Sequence, residues 1–146
     1  MGVRLQRGEL AAAAALMSHA EIVRALFADF NRGDFEAALA KLEPEVDWGE
    51  PPDMPDTGGD YRGREGVVAG FGRFMAAWDE LRADLEHVEE VGERVVVLTH
   101  WHGRSKGTGI EVDQRLAQVY ELREGRVARV RQFRELAEAL AAARAP

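Results

Sequence analysis

The chain has no cysteine. Disulfides, thiolate metal centres and a cysteine nucleophile are therefore excluded. Positive charge is scarce: 19 Lys and Arg stand against 26 Asp and Glu, a net charge of −7. Phosphate backbones are gripped by clustered basic faces, so no nucleic-acid partner is expected. Arg123, Arg126, Arg129, Arg131 and Arg134 alternate with apolar residues, the pattern of a solvated or dimer-facing strand rather than of a basic groove. Long apolar runs are missing too, and with them any membrane-spanning helix or membrane partner. The opening MGVRLQRGELAAAAALMSHA has the basic start and alanine-rich run of a signal peptide. Glu9 at the edge of that run and the weak hydrophobicity of alanine argue against it. Residues 1–17 read instead as a disordered or frayed extension, residues 18–146 as a single domain, and the cytoplasm as the default compartment.

What is present is ordinary globular composition: 146 residues, 46% apolar and 31% charged, enough for one sizeable core. Ser18 with Glu21 three residues on forms a capping box, and Ile22, Val23, Leu26, Phe27 and Phe30 follow at helical spacing. Asn31-Arg32-Gly33 ends that helix, and Asp34 caps a second with Phe35, Ala38, Leu39 and Leu42 as its stripe, stopped by Pro44. EVDW is a short strand, and the loop GEPPDMPDTGGD forbids regular structure. Gly63 precedes a third helix whose Val67, Phe71, Phe74, Met75 and Trp78 share a face. From Leu81 the period switches to two, with strands near 81–91, 94–105, 110–123 and 126–134 and turns at GE, KGTG and EG. ELAEALAAARA closes the chain as a helix. The order predicts an α+β domain in which a curved antiparallel meander folds over helices and leaves a cavity between them.

The last hairpin sets a register. REG suits a three-residue loop with Gly125 left-handed, pairing Leu122 with Arg126, Tyr120 with Ala128, Gln118 with Val130 and Leu116 with Gln132. Directly opposed residues share a face, so Leu116, Gln118, Tyr120, Ala128, Val130 and Gln132 line the inner one. Ala117, Val119 and Phe133 then give the otherwise charged outer face an apolar patch suited to a symmetric dimer.

The segments FADFNRGDFEAAL, VDW, YRGREGV and AQVYELREGRVARVRQF resemble the nuclear transport factor 2-like superfamily, and within it the SnoaL-like polyketide cyclase group, over about residues 18 to 142. The resemblance implies a conical barrel: a curved, mostly antiparallel sheet wrapped around three N-terminal helices, with a C-terminal helix. It also implies a deep apolar pocket and frequent homodimerisation through the outer sheet face. It does not imply one function, because members include isomerases, cyclases, dehydratases, epoxide hydrolases and non-catalytic adaptors. Ketosteroid isomerases carry an oxyanion-binding acid, and SnoaL-type cyclases their catalytic aspartate, where Gln118 stands. Glutamine has no titratable proton, so it cannot be a general acid or base, though it can donate to a carbonyl or oxyanion. The isomerase base would fall near Trp48, beside Asp47, and the isomerase tyrosine near Leu26, which has no hydroxyl. The Asp–Arg–Asp set of the limonene epoxide hydrolases falls near Trp101, Gly103 and Gln132. None of the three catalytic sets is present, which leaves open whether the domain is an enzyme.

Several residues carry two readings. Gln118 and Gln132 are either a hydrogen-bonding pair that orients a ligand or two satisfied amides in a cavity. Asp47 is a weak catalytic candidate, a base if it points inward, but alternation admits only one of Asp47 and Trp48, and Trp48 suits the core better. Tyr120 offers its hydroxyl to the pocket or ties it to backbone. His87 continues the Leu81, Ala83, Leu85 alternation under the sheet. In LTHWHGRS, His100 and His102 share a face. A symmetric KGTG turn sets His100 across from Arg115 and His102 across from Asp113, so one histidine faces a cation and no third metal ligand is evident. With Trp101 in the cavity both rings lie outside; a slip of one residue brings both inside and revives acid–base work. No metal and no cofactor are expected. The wall of the cone is assigned to Trp48, Phe74, Trp78, Trp101, Leu116, Tyr120 and Val130, with Gln118 and Gln132 as polar contacts. The expected occupant is a small, largely apolar, neutral molecule, with cofactor-independent isomerisation, cyclisation or dehydration if there is catalysis. The rival is a non-catalytic dimeric interaction module whose cavity is filled by side chains.

Overall fold

A computed structural model describes residues 17–49 and 61–146. The frayed extension and the acidic loop residues Glu50, Asp53, Asp56 and Asp60 fall outside the described residues, apart from Met17. Helix α1 (His19–Asn31) starts where Ser18 Oγ accepts from the Glu21 amide at 3.1 Å. It buries Ile22, Val23, Leu26 and Phe27 on one face, and Gly33, at φ +79°, lets the chain leave it. Asp34 Oδ1 accepts from the Ala37 amide at 3.2 Å and starts α2 (Phe35–Ala40). Buried Asp29 accepts from both Arg32 and Lys41, which fixes α2 against α1.

Strand β1 (Leu42–Gly49), the short β2 (Tyr61–Arg62) and helix α3 (Gly63–Ala76) come next. Then β3 (Trp78–Val91), β4 (Arg94–Ser105), β5 (Glu111–Arg123) and β6 (Arg126–Phe133) form the meander, and α4 (Leu136–Arg144) closes the fold. The six strands make one curved sheet in the order β2-β1-β6-β5-β4-β3. All neighbours are antiparallel except β1 and β6, which run parallel, so the sheet is mixed. Pro44 sits in an irregularity of β1 between the Leu42 and Asp47 pairings, where its missing N–H breaks no ladder bond. Edge strand β3 is covered at one point by Asn31, whose amide donates to Ala83 O at 2.8 Å and accepts from Ala83 N at 2.9 Å. An α-helical side chain thus completes backbone bonds that an edge strand leaves open.

Four expectations change in detail. The β5–β6 hairpin has a two-residue turn, Glu124-Gly125, with both φ positive at 52° and 79°, the signs of a type I′ turn. A bulge at Ala128 follows, because Leu122 pairs with Val127 and Glu121 with Arg129. Gln118 therefore opposes Gln132 and Tyr120 opposes Val130, a shift of two that keeps all four on one face while Val127 takes the inner position given to Ala128. Trp78 is not on α3: the helix ends at Ala76, and Trp78 opens β3 paired with Ser105, drawn out by the long β3–β4 ribbon. His87 leaves the inner alternation, since a bulge at Glu86 sets it opposite Leu98 on the outer face, where it meets Glu89 at 3.0 Å. Finally, the apolar outer patch is covered by the chain itself. Ala117 and Val119 are buried with Val96 against Ala139 and Ala143 of α4, and Phe133 packs on the same cluster.

Candidate functional site

Inside the cone lies a cavity of about 220 Å3. Helix α1 supplies Leu26, Phe27 and Phe30; α2 supplies Phe35 and Leu39; α3 supplies Val67, Val68, Phe71 and Met75. The sheet contributes Trp48, Trp101, Gln118 and Tyr120. Each comes inward by strand parity: Val97, Thr99 and Trp101 point in on β4, while Val96, Leu98, His100 and His102 point out. Edge-to-face contacts lock the aromatic wall. Trp48 meets Phe71 at 5.5 Å and Tyr120 at 6.1 Å, and Trp101 meets Phe30 at 5.5 Å. Phe35 and Val68, 42% and 50% exposed, mark the mouth between α2 and α3.

Polar atoms are few on this wall and nearly all engaged. Trp101 Nε1 donates to Thr99 Oγ1 at 2.9 Å, and Thr99 Oγ1 donates in turn to Leu116 O at 3.0 Å. Tyr120 Oη donates to Gln118 Oε1 at 2.7 Å. Gln118 Nε2 is left buried without a hydrogen-bond partner, on a side chain that is 0% exposed. An unpaired amide in such a place holds about 1–3 kcal/mol of desolvation that a suitable acceptor would recover. Among the described lining residues there is no carboxylate, imidazole or amine.

The other assigned wall residues are placed differently. Leu116 and Val130 are buried in the same core but lie behind the cavity surface. Gln132, 9% exposed, sits across from Gln118 outside the lining, and half-buried Trp78 begins β3 away from it. The Phe74 side chain lies outside what the structure describes. Asp47 does not enter: with Trp48 inside, it is held by Arg131 Nη2 at 2.8 Å, and that guanidinium keeps its carboxyl below the usual range. The Arg131 side chain also crosses Gly49, where a Cβ would stand 2.9 Å from it. Sequence reading took Phe27, Phe30, Phe35 and Leu39 as core. Their helical stripes carried no sign that a void lay beside them, because periodicity reports a buried face and not what fills it.

Outside, His100 and His102 lie opposite Arg115 and Asp113, in the register that a symmetric KGTG turn predicts. Their rings are 5.2 Å apart. His102 Nε2 meets Asp84 at 2.7 Å, His100 Nε2 bonds Asp113, and Arg115 bonds Glu86 at 2.6 Å. Each of these three carboxyls is held below its ordinary value by the hydrogen bond from its partner. Among the described residues, no three His, Asp or Glu side chains are placed to hold a metal ion, and no helix is long and apolar enough to cross a membrane.

Helices packed in a cone against a curved six-stranded sheet, with an apolar cavity between, define the nuclear transport factor 2-like fold. The SnoaL-like domain family matches residues 23–130, and the chain belongs to that family. A solved NTF2-like protein of unknown function from Burkholderia pseudomallei is 28% identical and superposes with a TM-score of 0.73 over 88% of this chain and 100% of its own. Bal32a, from a soil-derived mobile gene cassette, is also 28% identical, with a TM-score of 0.72 over 89% of this chain and 95% of its own. A putative SnoaL-like polyketide cyclase from Jannaschia sp. CCS1 shares the fold at 20% identity, with a TM-score of 0.67 over 99% of both chains. No curated protein matches the sequence.

Proposed function

We propose that this domain binds a small, largely apolar, neutral molecule inside its cone, anchored by one hydrogen bond from Gln118. The observation that carries this is the Gln118 Nε2 amide, buried and unpaired on the wall of an otherwise aromatic and aliphatic cavity. A site with many apolar contacts and one oriented polar group is the usual form of a small-molecule pocket. A charged ligand is disfavoured, because no described lining side chain can neutralise it. Isomerase, cyclase or dehydratase chemistry would require a proton acceptor that the described wall does not supply, so binding is the reading the geometry supports. The rival interaction module requires a filled cone, and a void of about 220 Å3 speaks against it.

The test uses the two tryptophans of the wall as reporters. Titration with a bicyclic hydrocarbon such as indane and with its ketone, indanone, should change Trp48 and Trp101 emission saturably. It should also raise Tm with ligand concentration. No saturable change with either compound, and no shift in Tm, would refute a binding cavity.

A further inference from the structure

We propose that a second copy of this chain docks on the outward face of α3, the two helices antiparallel about a twofold axis at Ala69. A surface helix ordinarily turns charge to water, and single exposed apolar residues carry little meaning. The outward face of α3 instead consists of two neighbouring rows at i, i+4 spacing, Glu65-Ala69-Arg73 and Val68-Gly72-Ala76, with all six residues exposed. Four of the six are uncharged, and Val68 is 50% exposed. Phe35 of α2, 42% exposed, continues this surface across the mouth of the cavity.

Gly72 is an independent observation. Glycine inside a helix weakens it. Gly70 has its reason within the chain, because a Cβ there would stand 2.3 Å from the Tyr61 ring. A Cβ on Gly72 meets nothing within 4 Å, so no described part of the chain packs there. A bare position on an exposed helix face suits the close approach of another backbone.

The order of charges commits the occupant to a copy of the same chain. Glu65 and Arg73 are exposed, and neither is held by a hydrogen bond or an ion pair among the described residues. They stand about 12 Å apart along the helix axis, with Ala69 midway. A twofold axis through Ala69 sets Glu65 against the partner's Arg73 and Arg73 against the partner's Glu65, the self-complementarity that an isologous contact requires. A parallel pairing would set like charges together. One helix and its flank make a contact at the low end of interface sizes, so association is weak, half complete at roughly 10–300 μM.

Sedimentation equilibrium from about 5 μM to about 1 mM tests this on the wild type, on Glu65→Arg, on Arg73→Glu, on the double variant and on an equimolar mixture of the two single variants. Both positions are exposed, so every variant should keep the wild-type Tm. Each single variant opposes like charges at both ends of the contact and should weaken association roughly 5- to 50-fold. The double variant exchanges the signs and should return to within about threefold of the wild type. The mixture should associate more tightly than either single variant alone, because its heterodimer pairs opposite charges at both ends. A wild type that stays monomeric throughout would overturn the proposal. Association that the single variants leave unchanged would also overturn it and move the contact to another face. A double variant as weak as the single ones, or a mixture no tighter than its components, would exclude the antiparallel pairing and with it the proposal.

Discussion

Removing the Tyr120 hydroxyl tests the account of the buried amide without any ligand. Tyr120 and Gln118 are both 0% exposed and joined at 2.7 Å, so water cannot replace a lost partner at the protein surface. In Tyr120→Phe the ring keeps its edge contacts with Phe27 and Trp48, each at 6.1 Å, and only the hydroxyl goes. Gln118 Oε1 is then as bare as Nε2, at a cost of about 1–3 kcal/mol. For a domain of this size that is a fall in Tm of roughly 3–10 °C. Gln118→Leu strands the Tyr120 hydroxyl at a similar cost, but it also removes an Nε2 that has no partner in the wild type. The two effects offset, and the net loss should be below about 1 kcal/mol. The double variant leaves neither polar atom and should match or exceed wild-type stability. Urea denaturation of the four proteins, with unchanged m-values, gives the coupling between the sites, expected at about 1–4 kcal/mol. If the double variant is less stable than Tyr120→Phe alone, the reasoning is wrong, because the losses would then simply add.

Three further outcomes follow from the packing and charge. A Cβ on Gly70 would stand 2.3 Å from the Tyr61 ring, whereas one on Gly72 meets nothing within 4 Å. Gly70→Ala should therefore destabilise by about 1–2 kcal/mol despite better helix propensity, and Gly72→Ala should stabilise by up to about 1 kcal/mol; thermal melts with the opposite order would contradict this. Deleting residues 136–146 uncovers Val96, Ala117 and Val119, so the truncated chain should self-associate in sedimentation; a monomer with unchanged Tm would show that α4 does not seal that patch. Arg131→Met removes the cation that depresses the Asp47 pKa. A carboxyl whose folded value is lowered stabilises the fold above its unfolded value, near 4, and loses that contribution as pH falls through the folded value. The wild-type advantage should thus be present at neutral pH, under about 1 kcal/mol for so exposed a pair, and vanish once the pH falls below the lowered folded value; an equal gap at both ends would exclude the ion pair as its source.

The sequence alone determined what depends on neighbours a few residues apart. Ser18 and Asp34 cap α1 and α2 because a short oxygen-bearing side chain reaches the third amide on whatever the tertiary context. Alternation favoured Trp48 inward and put His100 and His102 together on the face opposite Trp101, but which face that is stayed open until the β4–β5 pairing, the one a symmetric KGTG turn predicts, set the histidines outside. Tertiary structure decided what alternation cannot carry. The bulges at Glu86 and Ala128 arise where long strands follow the curvature of the sheet, and each resets which residues face inward beyond it. That is why His87 left the inner face while Gln118, Tyr120, Val130 and Gln132 kept theirs. The docking of α4 on Ala117 and Val119 was likewise hidden, since an amphipathic helix and an apolar strand patch each need a partner without specifying which. The same holds for the cavity. The stripes of α1, α2 and α3 record that those faces are buried, but only the angle at which the helices meet the sheet leaves about 220 Å3 between them, with the Gln118 amide on its wall.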